Sequence, residues 1–119
     1  MRTIRNTSGI DMFWNAASRD NLSDIRQYIA AQIDVNATDR YGQTALHKAA
    51  IASSTNTVVF LLKLPYVDIY KRDNAGNTPL DIANLFQNNK IAAAIEAEAA
   101  RRETQLTKRS QIKAPPYAL

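Results

Sequence analysis

The stretch "DRYGQTALHKAA", residues 39–50, returns 34 positions later as "DNAGNTPLDIAN", residues 73–84. In both, an aspartate stands three residues before a glycine, a threonine follows that glycine by two, and an apolar, small-residue series comes next. The chain owns only three glycines, Gly9, Gly42 and Gly76, separated by 33 and 34 residues. Such a spacing marks an internal repeat. Two residues after each glycine stands a residue suited to start a helix: Asp11, Thr44 and Thr78. Aspartate and threonine accept the free N–H groups of a first turn, and Pro79 sits where a helix tolerates proline best. The series that follow are Phe13, Ala16, Ala17, then Leu46, Ala49, Ala50, then Leu80, Ile82, Ala83. Three helices are expected to begin in this one slot, each after a glycine turn that needs a positive φ.

A second apolar cluster recurs downstream: Leu22, Ile25, Tyr28 and Ile29, then Val58, Val59, Leu61 and Leu62, then Ile91, Ala92 and Ile95. Spacings of three and four put these groups on one helical face. Asn21, Asn56 and Asn88 stand ahead of them and are read as the caps of the second helices. The segments "IDVNATD" (33–39) and "VDIYKRD" (67–73) look extended and lead into the next glycine turn. The fold class is therefore all-α, with helix pairs at roughly 11–30, 44–64 and 78–104. One such pair cannot bury its apolar face alone, so the units must stack.

A two-helix unit with a hairpin turn and this period resembles the ankyrin repeat. "DRYGQTALHKAA" is close to that family's D-x-x-G-x-T-P-L-H-x-A-A pattern, with Ala45 in place of proline. "DNAGNTPLDIA" looks like a closing repeat with Asp81 at the histidine position, and "NTSGIDMFWNAA" is the most divergent, with Asn6, Asp11 and Trp14 at the Asp, Thr and His positions. The resemblance implies a solenoid repeat domain over 1–104, with repeats at about 6–38, 39–72 and 73–104, then a basic, flexible tail at 105–119. The family's glycine between paired helices is replaced by Asp20, Ser53 or Ser54, and Gln87, and the glycine before the hairpin by Gln32 and Pro65. Residues 88–109 hold strong helix formers without proline or glycine, so the last helix should run past the usual repeat end.

Composition narrows function. With 119 residues, 45% apolar and 22% charged, the chain reads as one folded unit. It has no cysteine, which fits a reducing compartment. The longest apolar run, "VVFLL" at 58–62, is far short of a membrane span, and the start carries no signal-peptide run. The expected location is cytoplasmic, and an effector delivered into a host cell reads the same. Of the net charge of +4, residues 1–100 contribute ten basic and ten acidic groups, and the last 19 residues five and one. A basic tail of that kind is usually solvated, and anionic-surface or nucleic-acid binding through it is the alternative function.

Chemistry finds little footing. His47 is the only histidine, so a catalytic triad or zinc site has almost no ligands to draw on, and no cofactor is implied. The acid-rich "DVNATDRYG" and "DIYKRDNAG" lack calcium-loop register, and no phosphate loop appears. In the family the histidine is structural, and the same role is implied for His47 beside Gly9, Gly42, Gly76, Thr44 and Thr78. The resemblance implies a monomeric, non-enzymatic protein-interaction scaffold. Its docking face is the concave side, built of hairpin tips and first helices. Mapped onto this chain, those positions are Arg40, Tyr41, Gln43, Lys48, Ile51 and Ala52, then Tyr70, Arg72, Asn74, Ala75, Asn77 and Leu85.

Overall fold

The computed structural model describes residues 2–113. It is all-helical, with no strand among the described residues: α1 (Arg2–Ser18), α2 (Leu22–Ala30), α3 (Ala45–Ile51), α4 (Thr55–Leu62), α5 (Pro79–Leu85) and α6 (Asn89–Lys113). The odd-numbered helices pack in one row, α1 on α3 on α5, and the even-numbered helices in a second, α2 on α4 on α6. Helices of seven or eight residues are marginal alone, so they persist through packing and caps. Phe13, Ile25, Leu46, Val58, Leu61, Ile91 and Ile95 form a continuous core between the rows. Ala17, Ala45, Ala49, Ala50 and Ala83 are fully buried where first helices meet, and their small size permits that approach.

Local chemistry sets the helix starts. Thr44 and Thr78 cap α3 and α5, each accepting from the N–H three residues on, while the His47 and Asp81 side chains accept in return from the cap N–H. These are reciprocal capping boxes. Asn21 and Asn88 likewise accept from Asp24 N–H at 3.2 Å and Ile91 N–H at 3.2 Å.

Two expectations need correction. Gly9 makes no turn and Asp11 starts no helix, because both lie inside α1. Asn6 stands where Asp39 and Asp73 stand in the other units, so no carboxylate gathers N–H groups into a loop there, and the backbone bonds to itself instead. Asn56 is not the cap of α4; Ser54 occupies that position, and its side chain makes no capping bond to the helix. The cap comes from 37 residues away: Asp20 Oδ1 accepts from the N–H and hydroxyl of Thr57, both at 2.8 Å, and Oδ2 accepts from Asn56 Nδ2 at 3.1 Å. Ser54 Oγ meanwhile donates to the Ser18 carbonyl at 2.9 Å. The first unit thus fixes the start of the second unit's outer helix.

The last helix extends to Lys113, beyond the 104 expected for the third helix pair, so residues 105–113, expected as flexible tail, are helical. Residues 114–119 of the expected flexible tail lie outside the described residues. Glu98 is 8% exposed and clamped by Arg101 and Arg102, both at 2.7 Å. Arg102 also donates to the Val67 carbonyl at 2.8 Å and the Leu64 carbonyl at 3.4 Å, tying α6 to the chain that leaves α4. These pairs do far more than join neighbours on one helix surface. Burial pushes the Glu98 carboxyl up, but the two guanidinium groups outweigh it and hold it below its ordinary value.

At four of the five missing glycines the backbone keeps the glycine conformation, Pro65 being the exception because its ring fixes a negative φ. Asp20, Gln32, Ser53 and Gln87 have φ of 59°, 65°, 59° and 56°. A side chain there costs roughly 1–2 kcal/mol, partly offset by the entropy glycine would lose on folding. Gln32→Gly and Gln87→Gly, both at exposed sites, are expected to stabilise the stack by about 0.5–1 kcal/mol each. Asp20→Gly should do the reverse, since it removes the cap of α4. Urea midpoints read this, and a stabilising Asp20→Gly would overturn the account.

Candidate functional site

Each hairpin is organised by one aspartate. Asp39 Oδ1 accepts from Tyr41 N–H at 2.9 Å and Gln43 N–H at 3.0 Å; Asp73 Oδ1 accepts from Ala75 N–H at 3.0 Å and Asn77 N–H at 2.9 Å. The loops close through Asp39 N–H to the Gln43 carbonyl and Asp73 N–H to the Asn77 carbonyl. Gly42 and Gly76 supply the positive φ these turns need, 75° and 87°. Burial raises both carboxyls, yet the donors prevail. Lys48 and the Gln43 and Tyr41 N–H groups hold Asp39 below its ordinary value, and the Asn77 N–H and Gln43 amide do so for Asp73.

The hairpins lock to one another. Asn74 donates from its backbone to the Tyr41 carbonyl and from Nδ2 to the Arg40 carbonyl, both at 2.9 Å. A Cβ on Gly42 would lie 2.6 Å from Asn74 Oδ1, so the contact admits only glycine. His47 is fully buried; its Nδ1 lies 3.1 Å from the donating Thr44 N–H and its Nε2 2.9 Å from the Asn77 carbonyl. That pattern requires the neutral ring protonated on Nε2, with one nitrogen capping its own helix and the other holding the next hairpin. Trp14, at the same register position of the first unit, likewise reaches forward, its Nε1 donating to the Ala37 carbonyl at 3.3 Å.

α1, the first hairpin and α3 enclose an open groove of about 790 Å³, lined by Asp11, Trp14, Asn15, Ser18, Thr38, Asp39, Arg40, Tyr41 and Lys48. Tyr41 is 58% exposed, with the Arg40 guanidinium 5.6 Å and the Lys48 ammonium 5.9 Å from its ring centre. Lys48 is in turn fixed to Asp39 at 2.5 Å. Both cations lie within cation–π range of a ring that stays open to solvent. A shallower depression of about 340 Å³ lies further along, between Asn77, Asp81, Asn84 and Leu85, with Leu85 67% exposed.

The sequence-derived docking residues divide between these features. Arg40, Tyr41 and Lys48 meet in the groove, and Asn77 and Leu85 in the depression. Tyr70, Arg72, Ala75 and Ala52 are exposed outside both, and Ile51 is half-buried against the core. Asn74 is engaged in hairpin locking, and Gln43 Nε2 reaches Asp73 Oδ2 at 3.4 Å. Sequence mapping missed the opposite wall of the groove: Asp11, Trp14, Asn15 and Ser18, spaced by three and four along α1. Asn15 and Ser18 are the first unit's counterparts of Lys48 and Ile51, so applying the register to that unit would have found them. Among the described residues no group of three or more His, Cys, Asp or Glu is placed to hold a metal.

Two predictions follow from the hairpins. Gly42→Ala should cost about 2–4 kcal/mol, since it meets both the backbone penalty and the Asn74 contact, whereas Gly76→Ala, with open space around it, should cost about 1–2 kcal/mol. Equal losses in thermal unfolding would remove the locking role given to Asn74. The second concerns acid. Because Asp39, Asp73 and Glu98 are lowered in the fold, their stabilisation is complete above the ordinary carboxylate value of about 4 and is lost as pH falls through the folded values. Urea midpoints should drop below about pH 4, and Asp73→Asn should flatten that drop; an unchanged slope in the variant would exclude Asp73 as a contributor.

Comparison with known proteins agrees with this architecture. The family model described as "Ankyrin repeats (many copies)" matches residues 28–83. A protein of Rickettsia bellii, named provisionally as an ankyrin repeat protein, is 35% identical over 77 residues, covering 65% of this chain and 79% of its own length. The liver isoform of mitochondrial glutaminase from Rattus norvegicus is 29% identical over 93 residues, 78% of this chain and 15% of the glutaminase. The nuclear factor NF-kappa-B p105 subunit of Gallus gallus is 32% identical over 101 residues, 84% of this chain and 10% of that protein. The chain spans less than a fifth of the two longer relatives, a share too small to carry a glutaminase activity over to it. By the repeat register, the stacked helix pairs and the Rickettsia relative, the chain belongs to the ankyrin repeat family.

Proposed function

We propose that this chain is a non-catalytic module, monomeric and cytoplasmic, that binds another protein through its concave face, with Arg40 and Tyr41 at the centre of the contact. Ankyrin repeats are generally protein–protein interaction modules. The observation that carries the reading is the groove between α1, the first hairpin and α3, where an exposed tyrosine has two cations within cation–π range of its ring. Tyrosine and arginine are the residue types enriched in interface hot spots. Tyr70 and Arg72, both exposed on the approach to the second hairpin, add a second tyrosine and arginine. No helix among the described residues is long and apolar enough to cross a membrane.

The alternative assigns binding to the basic C-terminal segment and an anionic surface. Of its cations Arg102 is already committed to Glu98 and two carbonyls, which favours the concave face. The deciding experiment is affinity capture with partner identification, followed by binding titrations of variants. Tyr41→Ala and Arg40→Ala are each expected to weaken binding by more than about 1 kcal/mol without altering the thermal midpoint. Unchanged affinity in both, with binding abolished by removing residues 105–119 and steeply reduced by salt, would transfer the site to the C-terminal segment.

A further inference from the structure

Resting on that docking reading, we infer that the segment this face receives is acidic: an extended stretch of a partner protein whose carboxylates meet Arg40 and Arg72 and whose apolar side chains lie on Tyr41 and Tyr70. The distribution of charge along the hairpin row carries the inference. Four aspartates stand in that row, and by count they would cancel its cations. Each, however, has one oxygen bonded to a backbone N–H close by in the chain. Asp34 accepts from Asn36 N–H at 3.0 Å and Asp68 from Tyr70 N–H at 2.9 Å, while Asp39 and Asp73 each bind the two N–H groups of their own turn. Asp39 in addition holds Lys48. The paired N–H dipoles on Asp39 and Asp73 offset those two negative charges within their turns.

The arginines are disposed the opposite way. Arg40 is exposed and has no ion-pair partner among the described residues. Arg72 donates to the Gly76 carbonyl at 2.8 Å and faces Asp81 at 3.9 Å, but both side chains are largely open, 69% and 46%, so solvent screens that pair. The Asn74 bond to the Arg40 carbonyl sets the two arginine-bearing hairpins side by side. Tyr41 and Tyr70 stand beside them, 58% and 55% exposed. A guanidinium fork fits a carboxylate in the plane, and the tyrosine faces supply apolar area that a free carboxylate cannot use. A nucleic-acid strand would carry a charge at every nucleotide past Asp11, an exposed carboxylate on the groove wall, whereas a peptide can place a neutral residue there.

Nitrogen-15 spectra of the full chain test this with three probes: an acetylated, amidated Glu-Glu-Leu-Glu-Glu-Leu peptide, the same peptide with lysine for glutamate, and a ten-nucleotide deoxythymidine strand. The acidic peptide is expected to move the amides of Arg40, Tyr41, Arg72 and Asn74, and the lysine peptide to leave them in place. Its affinity should fall at least about fivefold in 0.5 M salt, and likewise in the double variant Arg40→Glu, Arg72→Glu with a folded spectrum. Equal shifts from both peptides, shifts confined to α6, a stronger response to the nucleotide strand, or no shift at all would each overturn the inference. If the acidic peptide fails while Tyr41→Ala still weakens an identified partner, the acidic preference falls and the docking face stands. If Tyr41→Ala and Arg40→Ala both leave that partner's affinity intact, the docking face itself falls.

Discussion

The contact between Gly42 and Asn74 sets the register of the concave side. Asn74 satisfies the carbonyls of residues 40 and 41 in the preceding hairpin, and it can approach only because Gly42 presents no Cβ. One residue type thus solves two problems: the turn's positive φ and the close passage of a neighbouring backbone. Once the hairpins are aligned, His47 can reach the Asn77 carbonyl from the floor of its own helix. Without that alignment its Nε2–H would be buried and unpaired, at a cost of about 1–3 kcal/mol. Among the described residues no buried side-chain nitrogen or oxygen lacks a partner, so the polar network closes as completely as the core packs.

The stack has a second seam on its other side, and it works by different chemistry. There the units are joined by carboxylate-to-backbone and guanidinium-to-carbonyl bonds: Asp20 to Thr57, Ser54 to the Ser18 carbonyl, and Arg102 to the carbonyls of Leu64 and Val67. The Asp20 and Ser54 bonds satisfy helix ends that their own units leave open, and the Arg102 bonds satisfy carbonyls of the chain that follows α4. This explains how short helices without strong local caps survive in the middle of the chain: the missing group is supplied by a neighbour. It also makes adjacent units interdependent, which suits a fold near the minimum number of repeats.

What the sequence disclosed follows the range of the interactions. Thr44 with His47, Thr78 with Asp81, and the aspartates three residues before Gly42 and Gly76 act within a few positions, so their spacing could be read directly. Gly9 was misread because periodic glycine without the partnering aspartate does not make a turn. Asn56 was misread for the opposite reason: it occupies a plausible local position, but a carboxylate 37 residues away takes the capping role. The substituted glycine sites also show conformation outlasting composition, since Asp20, Gln32, Ser53 and Gln87 keep the left-handed backbone. At Asp20 the reason is visible in the carboxylate it aims at α4; for Gln32 and Gln87 the structure offers none.

The groove differs from the rest of the surface in how its charges are fixed. Lys48 is held to Asp39, Asp39 is held by its own loop, and Tyr41 lies within reach of Lys48 and Arg40. A chain of contacts therefore runs from the hairpin turn to the exposed ring. A side chain that such contacts restrain loses less rotamer freedom on binding than an equally exposed tyrosine on an unanchored loop. The same chain of bonds explains why acidic residues can crowd a surface that presents cations outward. Asp39 and Asp73 are required by the turns they build and bind two N–H groups each, while the Arg40 and Arg72 side chains stay open to solvent.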